Sequence, residues 1–201
     1  DFSEDDLDVV MGEMYAMRAL CHFYLVRSFR DIPLAMKSAK NDAEIPDYYQ
    51  VHPLVALGSI MADLNRAETR VMKSGAFSSP QQNYGRITKN AVLAMKADVN
   101  LWRAAFTQYE EALDAPSAKA IEYYTKAIEN CDSVIEPMQR EMIEMYEKRN
   151  EQMTEVGPGT KNPYFLITNE ANKAQLVSKA YNAILGSDYS PESIFERDFD
   201  G

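Results

Sequence analysis

Few residues of this chain could do chemistry, and their spacing assembles no reaction centre. The two histidines, His22 and His52, are far apart: one lies inside an apolar helical pattern, the other at a helix start. Neither has the paired spacing of a metal site such as His-x₃-His. There is no Gly-x-Ser-x-Gly turn for a nucleophile and no glycine loop to cradle phosphate. The acidic pair Glu110–Glu111 reads as a solvated helix face, and Asp198 with Asp200 falls far short of a calcium site. Cys21 and Cys131 each sit on an apolar helical stripe, so both are expected to be buried, reduced thiols. The expectation is a protein without catalytic residues, metal or cofactor, and not an enzyme.

Bulk properties narrow the partners. The chain has 201 residues, 46% of them hydrophobic, enough for a real core. Its formal net charge of -10 argues against gripping nucleic acid, which needs clustered Lys and Arg, and against attachment to an anionic membrane. No window reaches the roughly 18 consecutive apolar residues of a membrane span. The opening Asp1-Phe2-Ser3-Glu4 carries no signal-like core, and the chain stops just after a strand-like run. Both ends suggest an internal fragment of a larger protein.

The elements expected to position any site are helices. The central one runs from Thr88, its cap, toward Phe106. Val92, Met95, Val99, Trp102 and Phe106 make one apolar stripe, and Ala94, Ala97, Leu101 and Ala104 a second. Lys89, Lys96, Asn100 and Arg103 are left as a narrow polar strip. Two apolar faces require neighbours on both sides. Before it, Ser3 caps a first helix whose core stripe reads Val10, Met14, Met17, Cys21 and Tyr24, widened by Ala16, Leu20 and Phe23. That helix ends before Asp31-Ile32-Pro33-Leu34, where proline forbids continuation. A second helix starts at His52-Pro53, buries Leu57, Met61, Leu64, Ala67 and Val71, and closes at Gly75. Asp63, Arg66, Arg70 and Lys73 are its wet face.

After the central helix comes another, with Ile121, Tyr124, Ile128, Cys131 and Ile135 facing inward. Ala120, Tyr124 and Ala127 fit the second helix of a tetratricopeptide unit. Pro137 is expected to begin a separate stretch with a methionine stripe, Met138, Met142 and Met145. A turn-rich loop spans Thr154 to Asn172, followed by a short helix at 176–185 and a strand at 193–199. The fold class is therefore mainly α: tetratricopeptide-like antiparallel helix pairs (an α-α superhelix) with long loops and a short C-terminal strand. Residues 1–201 form one domain, with a first helix pair at 1–75 and a second at 85–136. Residues 137–201 hold extra helices, the loop and the strand.

Three ordered blocks carry a family resemblance. Glu13-Met14-Tyr15-Ala16-Met17-Arg18-Ala19-Leu20-Cys21-His22-Phe23-Tyr24-Leu25-Val26-Arg27-Ser28-Phe29, running into Asp31-Ile32-Pro33-Leu34, resembles a signature helix of the SusD/RagB family. Gly85-Arg86-Ile87-Thr88-Lys89 through Trp102 is similar to a second block, and Tyr189-Ser190-Pro191-Glu192-Ser193-Ile194-Phe195-Glu196 to the family's ending. Arg30 and Asn90 stand where the family prefers glycine. The resemblance implies a mostly helical, glycan-binding surface lipoprotein of Bacteroidota outer membranes that takes up nutrients. It would partner a SusC-like TonB-dependent transporter and touch the membrane only through a lipid anchor outside this chain. Its ligand would be an oligosaccharide, or a peptide.

Sugars stack their C–H faces on aromatic rings and need polar groups for their hydroxyls. Tyr164 and Phe165 with Asn162 and Asn169 form the best loop cluster of that kind; Tyr48, Tyr49 and Tyr84 are second. Trp102 is excluded as a platform because its helical phase places it in the core. The alternative is a helical-repeat interaction module binding peptide or protein.

Overall fold

The computed structural model describes residues 3–79, 82, 85–111 and 115–151. Four α-helices dominate: α1 (Glu4–Phe29), α2 (Pro53–Glu68), α3 (Lys89–Glu111) and α4 (Ala118–Glu151). Between α1 and α2, β1 (Ile32–Pro33) pairs antiparallel with β2 (Gln50–Val51), in the register Ile32 opposite Val51. The mainly α architecture expected from the sequence is the one observed. The strand pair is an addition to it, and the expected strand at 193–199 lies outside the described residues.

The helices stack in chain order, α1 on α2, α2 on α3 and α3 on α4. Side-chain bonds give the directions. Arg18 of α1 meets Asp63 of α2, and Asp8 meets Arg70 just past the end of α2, so the first pair runs antiparallel. Glu68 near the end of α2 meets Lys89 and Lys96 early in α3, while His52 before α2 meets Glu110 late in α3. Arg103 and Gln108 of α3 meet Tyr123 and Tyr124 early in α4. The end of α1, the start of α2 and the end of α3 therefore gather at one end of the stack.

Local chemistry explains the helix limits. Ser3 caps α1 in a full capping box: its hydroxyl accepts from the Asp6 amide, and the Asp6 carboxylate takes the Ser3 amide. His52 caps α2, and Pro53 occupies its first turn. The C-terminus of α2 differs from expectation. It ends at Glu68, and Gly75 (φ +79°) serves a later turn instead. At α3, the Thr88 carbonyl accepts from Val92, but its buried hydroxyl finds no partner among the described residues, so the side chain does not cap. Pro137, expected to open a new helix, lies inside α4, which continues through it to Glu151.

The core joins Ala16, Ala19, Phe23 and Val26 of α1 to Ala56, Leu57, Ile60 and Leu64 of α2 and Val92 and Val99 of α3. Of the broad face expected for α1, only the flank holding Ala16 and Phe23 is buried. Gly12, Ala16, Ala19 and Phe23 point inward, whereas Met14, Met17, Cys21 and Tyr24 are exposed. The same shift occurs in α4, where Ala120, Tyr123, Ala127 and Val134 are buried but Ile121, Ile128 and Cys131 are exposed. In both edge helices the small residues face the neighbour, because they let the axes approach. Gly12 shows how closely: a Cβ there would lie 2.7 Å from Arg70 Cβ and 3.0 Å from the Val71 amide. The two cysteines are thus surface thiols rather than the buried ones expected.

Two polar residues move inward against expectation. Asp63, placed on the wet face of α2, is 1% exposed and receives Arg18 through Nε and Nη2, both at 2.7 Å, as well as Arg66 at 3.1 Å. That bidentate bond raises the Arg18 pKa, outweighing the opposing effect of burial. Arg18 also donates to the Met36 carbonyl at 2.8 Å, tying the loop after β1 to α1. Asn100 is buried in α3, and Leu101, assigned to an apolar stripe, is exposed. The rest of the polar strip of α3 bridges neighbours: Lys89 and Lys96 reach Glu68 of α2, and Arg103 stacks on Tyr123 of α4.

Candidate functional site: an aromatic groove at one end of the stack

The last turns of α3 carry Trp102, Ala105, Phe106 and Tyr109 at steps of three and four, so they share one face. Phe23 and Arg27 of α1 pack on Trp102, while Tyr109 further along stays exposed. The result is an open groove of about 320 Å³ lined by these four residues and Arg30. Trp102 anchors its floor. Phe23 meets it edge-on at 6.2 Å between ring centres, Phe106 tilts against it at 5.7 Å, and the Arg27 guanidinium lies 5.6 Å over its ring. Tyr109 is 77% exposed at the rim.

Arg30 is held there by an unusual backbone. Its φ of 65° and ψ of −77°, with the Asp31 amide donating to the Phe29 carbonyl at 2.9 Å, describe a γ-turn of the strained hand. The turn swings the chain from α1 into β1 and leaves the guanidinium 3.0 Å from Asp31 and 3.9 Å from Glu110.

Glu110 is further fixed from α2. His52 Nδ1 accepts from the Leu54 amide at 3.4 Å, so the ring proton belongs on Nε2. Nε2 in turn donates to Glu110 Oε1 at 2.6 Å. One imidazole therefore both caps α2 and orients the Glu110 carboxylate. Chemically the site offers ring faces for stacking, a guanidinium donor and a carboxylate acceptor, and no nucleophile. Among the described residues no cluster of His, Cys, Asp or Glu could hold a metal ion, and no helix is long and apolar enough to cross a membrane.

The sequence-derived candidates fare unevenly. Tyr164, Phe165, Asn162 and Asn169 lie outside the described residues, as does Tyr84. Tyr48 and Tyr49 are on the loop before β2; Tyr49 is 80% exposed, but neither lines the groove. Trp102, set aside as a core residue, is only partly buried: it packs against the core and lines the groove as well. Glu110, read as a solvated face, is engaged by His52 and Arg30. The one sequence signal for this site is Arg30 at a position where the resembled family prefers glycine. The aromatic spacing alone reads as core.

No family model and no curated protein matches the chain by sequence. A solved structure matches it in fold. A crystal structure of a SusD-like protein from Bacteroides fragilis is similar to it, with a TM-score of 0.50 and 20% sequence identity. The match covers 66% of this chain and 22% of that one. The chain is thus similar in fold to part of a SusD-like protein, and the matched region spans about a fifth of that protein's length.

Proposed function

We propose that this chain is part of a SusD-like glycan-binding protein, the component of an outer-membrane nutrient uptake system that captures oligosaccharide and passes it to a SusC-like TonB-dependent transporter. The fold likeness and the signature blocks around Arg18 and Thr88 support the receptor class. The observation that carries the saccharide is the groove, where Trp102, Phe106 and Tyr109 lie beside a guanidinium and a fixed carboxylate. In this reading the helices 1–75 and 85–136 are scaffold pairs, and the loops add the ligand contacts, Tyr48, Tyr49, Asn162, Tyr164, Phe165 and Asn169 among them. The protein binds and does not catalyse. It faces outward from the cell, held by a lipid anchor outside these residues.

A glycan-array screen of this chain tests the proposal. Retention of one or more oligosaccharides, lost when Tyr109 is replaced by alanine, is the expected outcome. Silence across the array overturns the saccharide. A specific observation would then favour the interaction-module reading: α1 exposes Leu7, Met11, Met14, Met17 and Tyr24 along its outer face, where a peptide or protein could lie.

A further inference from the structure

We propose that residues 173–186 of this chain dock as a helix on an exposed apolar flank of α4, and so tie the loop that carries Tyr164 and Phe165 to α4 at both ends. This placement goes beyond the saccharide reading and does not depend on it.

α4 presents more apolar surface than its neighbour uses. Ala120, Tyr123, Ala127 and Val134 are buried. Ile121, Tyr124, Ile128, Cys131 and Ile135 follow one another at steps of three and four, so they share a second flank. There Ile121 is 53% exposed and Ile128 61%, Cys131 is exposed as well, and Tyr124 and Ile135 are half-buried. Among the described residues nothing covers this seam, which is about 21 Å long at 1.5 Å per residue. Its border is acidic. Glu122 is paired with Lys126, but Glu129, Asp132 and Glu136 are exposed and have no ion pair among the described residues.

The sequence beyond α4 holds a segment of matching chemistry. Leu176, Val177, Ala180, Tyr181, Ile184 and Leu185 share one face of a helical pattern. Asn172 followed by Gln175 is a capping signature that opens it, and Gly186 closes it. Between them the only charged residues are Lys173 and Lys179. A helix of about 13 residues is marginal by itself in water, so this one forms when its apolar face is covered.

Three observations select α4 over the outer face of α1. The helices stack in chain order, so α4 is the free edge that a following element meets. The α1 stripe has no acid between Met14 and Tyr24 to attract two lysines, whereas the α4 flank has three at its border. Reach also fits. A flexible linker of about 20 residues spans about 25 Å, and the way back along α4 from Glu151 to Ile135 is about 24 Å. Running antiparallel to α4, the segment then sets Lys173 beside Glu136, Val177 against Cys131, and Lys179 beside Glu129.

Disulfide trapping in the full 201-residue chain tests this. Cys21 and Cys131 lie one on each exposed face, so a third thiol reports which face the segment meets. Val177→Cys, mildly oxidised at low protein concentration and mapped by mass spectrometry, should form an intramolecular disulfide with Cys131 and leave Cys21 free. Gln175→Cys, on the opposite side of the helical pattern, should form little. In the unsubstituted chain a maleimide should label Cys131 about tenfold more slowly than Cys21, as a docked fraction of about nine tenths implies. Ile184→Asp should remove that difference, with circular dichroism confirming that each variant is folded. A disulfide to Cys21 puts the segment on α1, and one formed only between chains gives the flank to a second copy; either overturns the proposal. Equal trapping from residues 175 and 177, no trapping at all, or equal labelling of the two thiols in the unsubstituted chain overturns it as well.

Discussion

Arg30 concentrates the residue-scale argument. A non-glycine residue at φ 65° and ψ −77° stores on the order of 1–3 kcal/mol. Its exposed ion pairs return about 0–1 kcal/mol. Arg30→Gly should therefore stabilise the fold by about 1 kcal/mol while loosening Glu110, a split that thermal unfolding and sugar titration together would read. His22 makes the opposite kind of prediction. Burial against α1's neighbours lowers its pKa from the ordinary 6.5, against the opposing hydrogen bond to the Arg18 carbonyl. The folded state then binds fewer protons than the unfolded one near and below pH 6.5, so stability rises with pH through that window and is lost on acidification. Denaturant midpoints measured between about pH 5 and 8 should show this slope, and His22→Gln should flatten it.

At the scale of elements, the issue is which face of each edge helix is inside. On α1 the inward residues are Gly12, Ala16, Ala19 and Phe23, and the larger Met14 and Met17 look out. Two substitutions check that register. Met14→Ala should change stability by less than about 0.5 kcal/mol, as surface changes do. Ala16→Leu should cost about 1–3 kcal/mol through overpacking against α2. Had Met14 faced the core as the sequence-derived stripe has it, Met14→Ala would be costly as well. Gly12→Ala is a sharper case. Alanine is favoured over glycine inside a helix by about 0.8–1.0 kcal/mol. Here, though, its Cβ would press to 2.7 Å from Arg70 Cβ and 3.0 Å from a backbone amide that cannot step aside, so a net loss of about 1–2 kcal/mol is expected. Chemical denaturation of the three variants suffices to test the α1–α2 contact.

For the whole molecule the dominant field is negative. A net charge of -10 spread over 201 residues makes the compact state repel itself. Opposing this are ion pairs that join separate segments of the chain: Arg18–Asp63, Glu13–Arg86 and Lys96–Glu68. These are partly buried and therefore weakly screened. At Glu68, burial pushes the carboxyl pKa up, but the Lys96 bond and the charges of Lys96 and Lys89 outweigh it and hold the group below its ordinary value. Added salt should consequently screen the long-range repulsion more than the pairs. Raising ionic strength from about 0.01 M to 0.15 M, which shortens the screening length from about 30 to 8 Å, should raise the thermal midpoint. A fall would mean that exposed pairs such as Arg70–Asp8 contribute more than the net field.

Much of the helical plan was already in the sequence, because it is written in local chemistry. Ser3 with Asp6 starts α1, Pro33 prevents its continuation, and His52-Pro53 opens α2, each acting within a turn of its own position. The apolar stripe of α2 and the two-sided apolar pattern of α3 also announced a helix with neighbours on both flanks, and α3 has them. The core face of α1 and of α4 was decided only in three dimensions. Periodicity ranks faces by apolar bulk, whereas close packing of two axes selects the face with alanine and glycine. Asp63 and Asn100 illustrate the same limit, since what buries each is a neighbouring helix that spacing along one chain does not reveal. The groove was decided there as well. Trp102 and Phe106 read as an ordinary core stripe, yet together with Tyr109 and Arg30 they line an open groove. Glu110 becomes part of a site only because His52, far off in sequence, caps the helix that ends beside it.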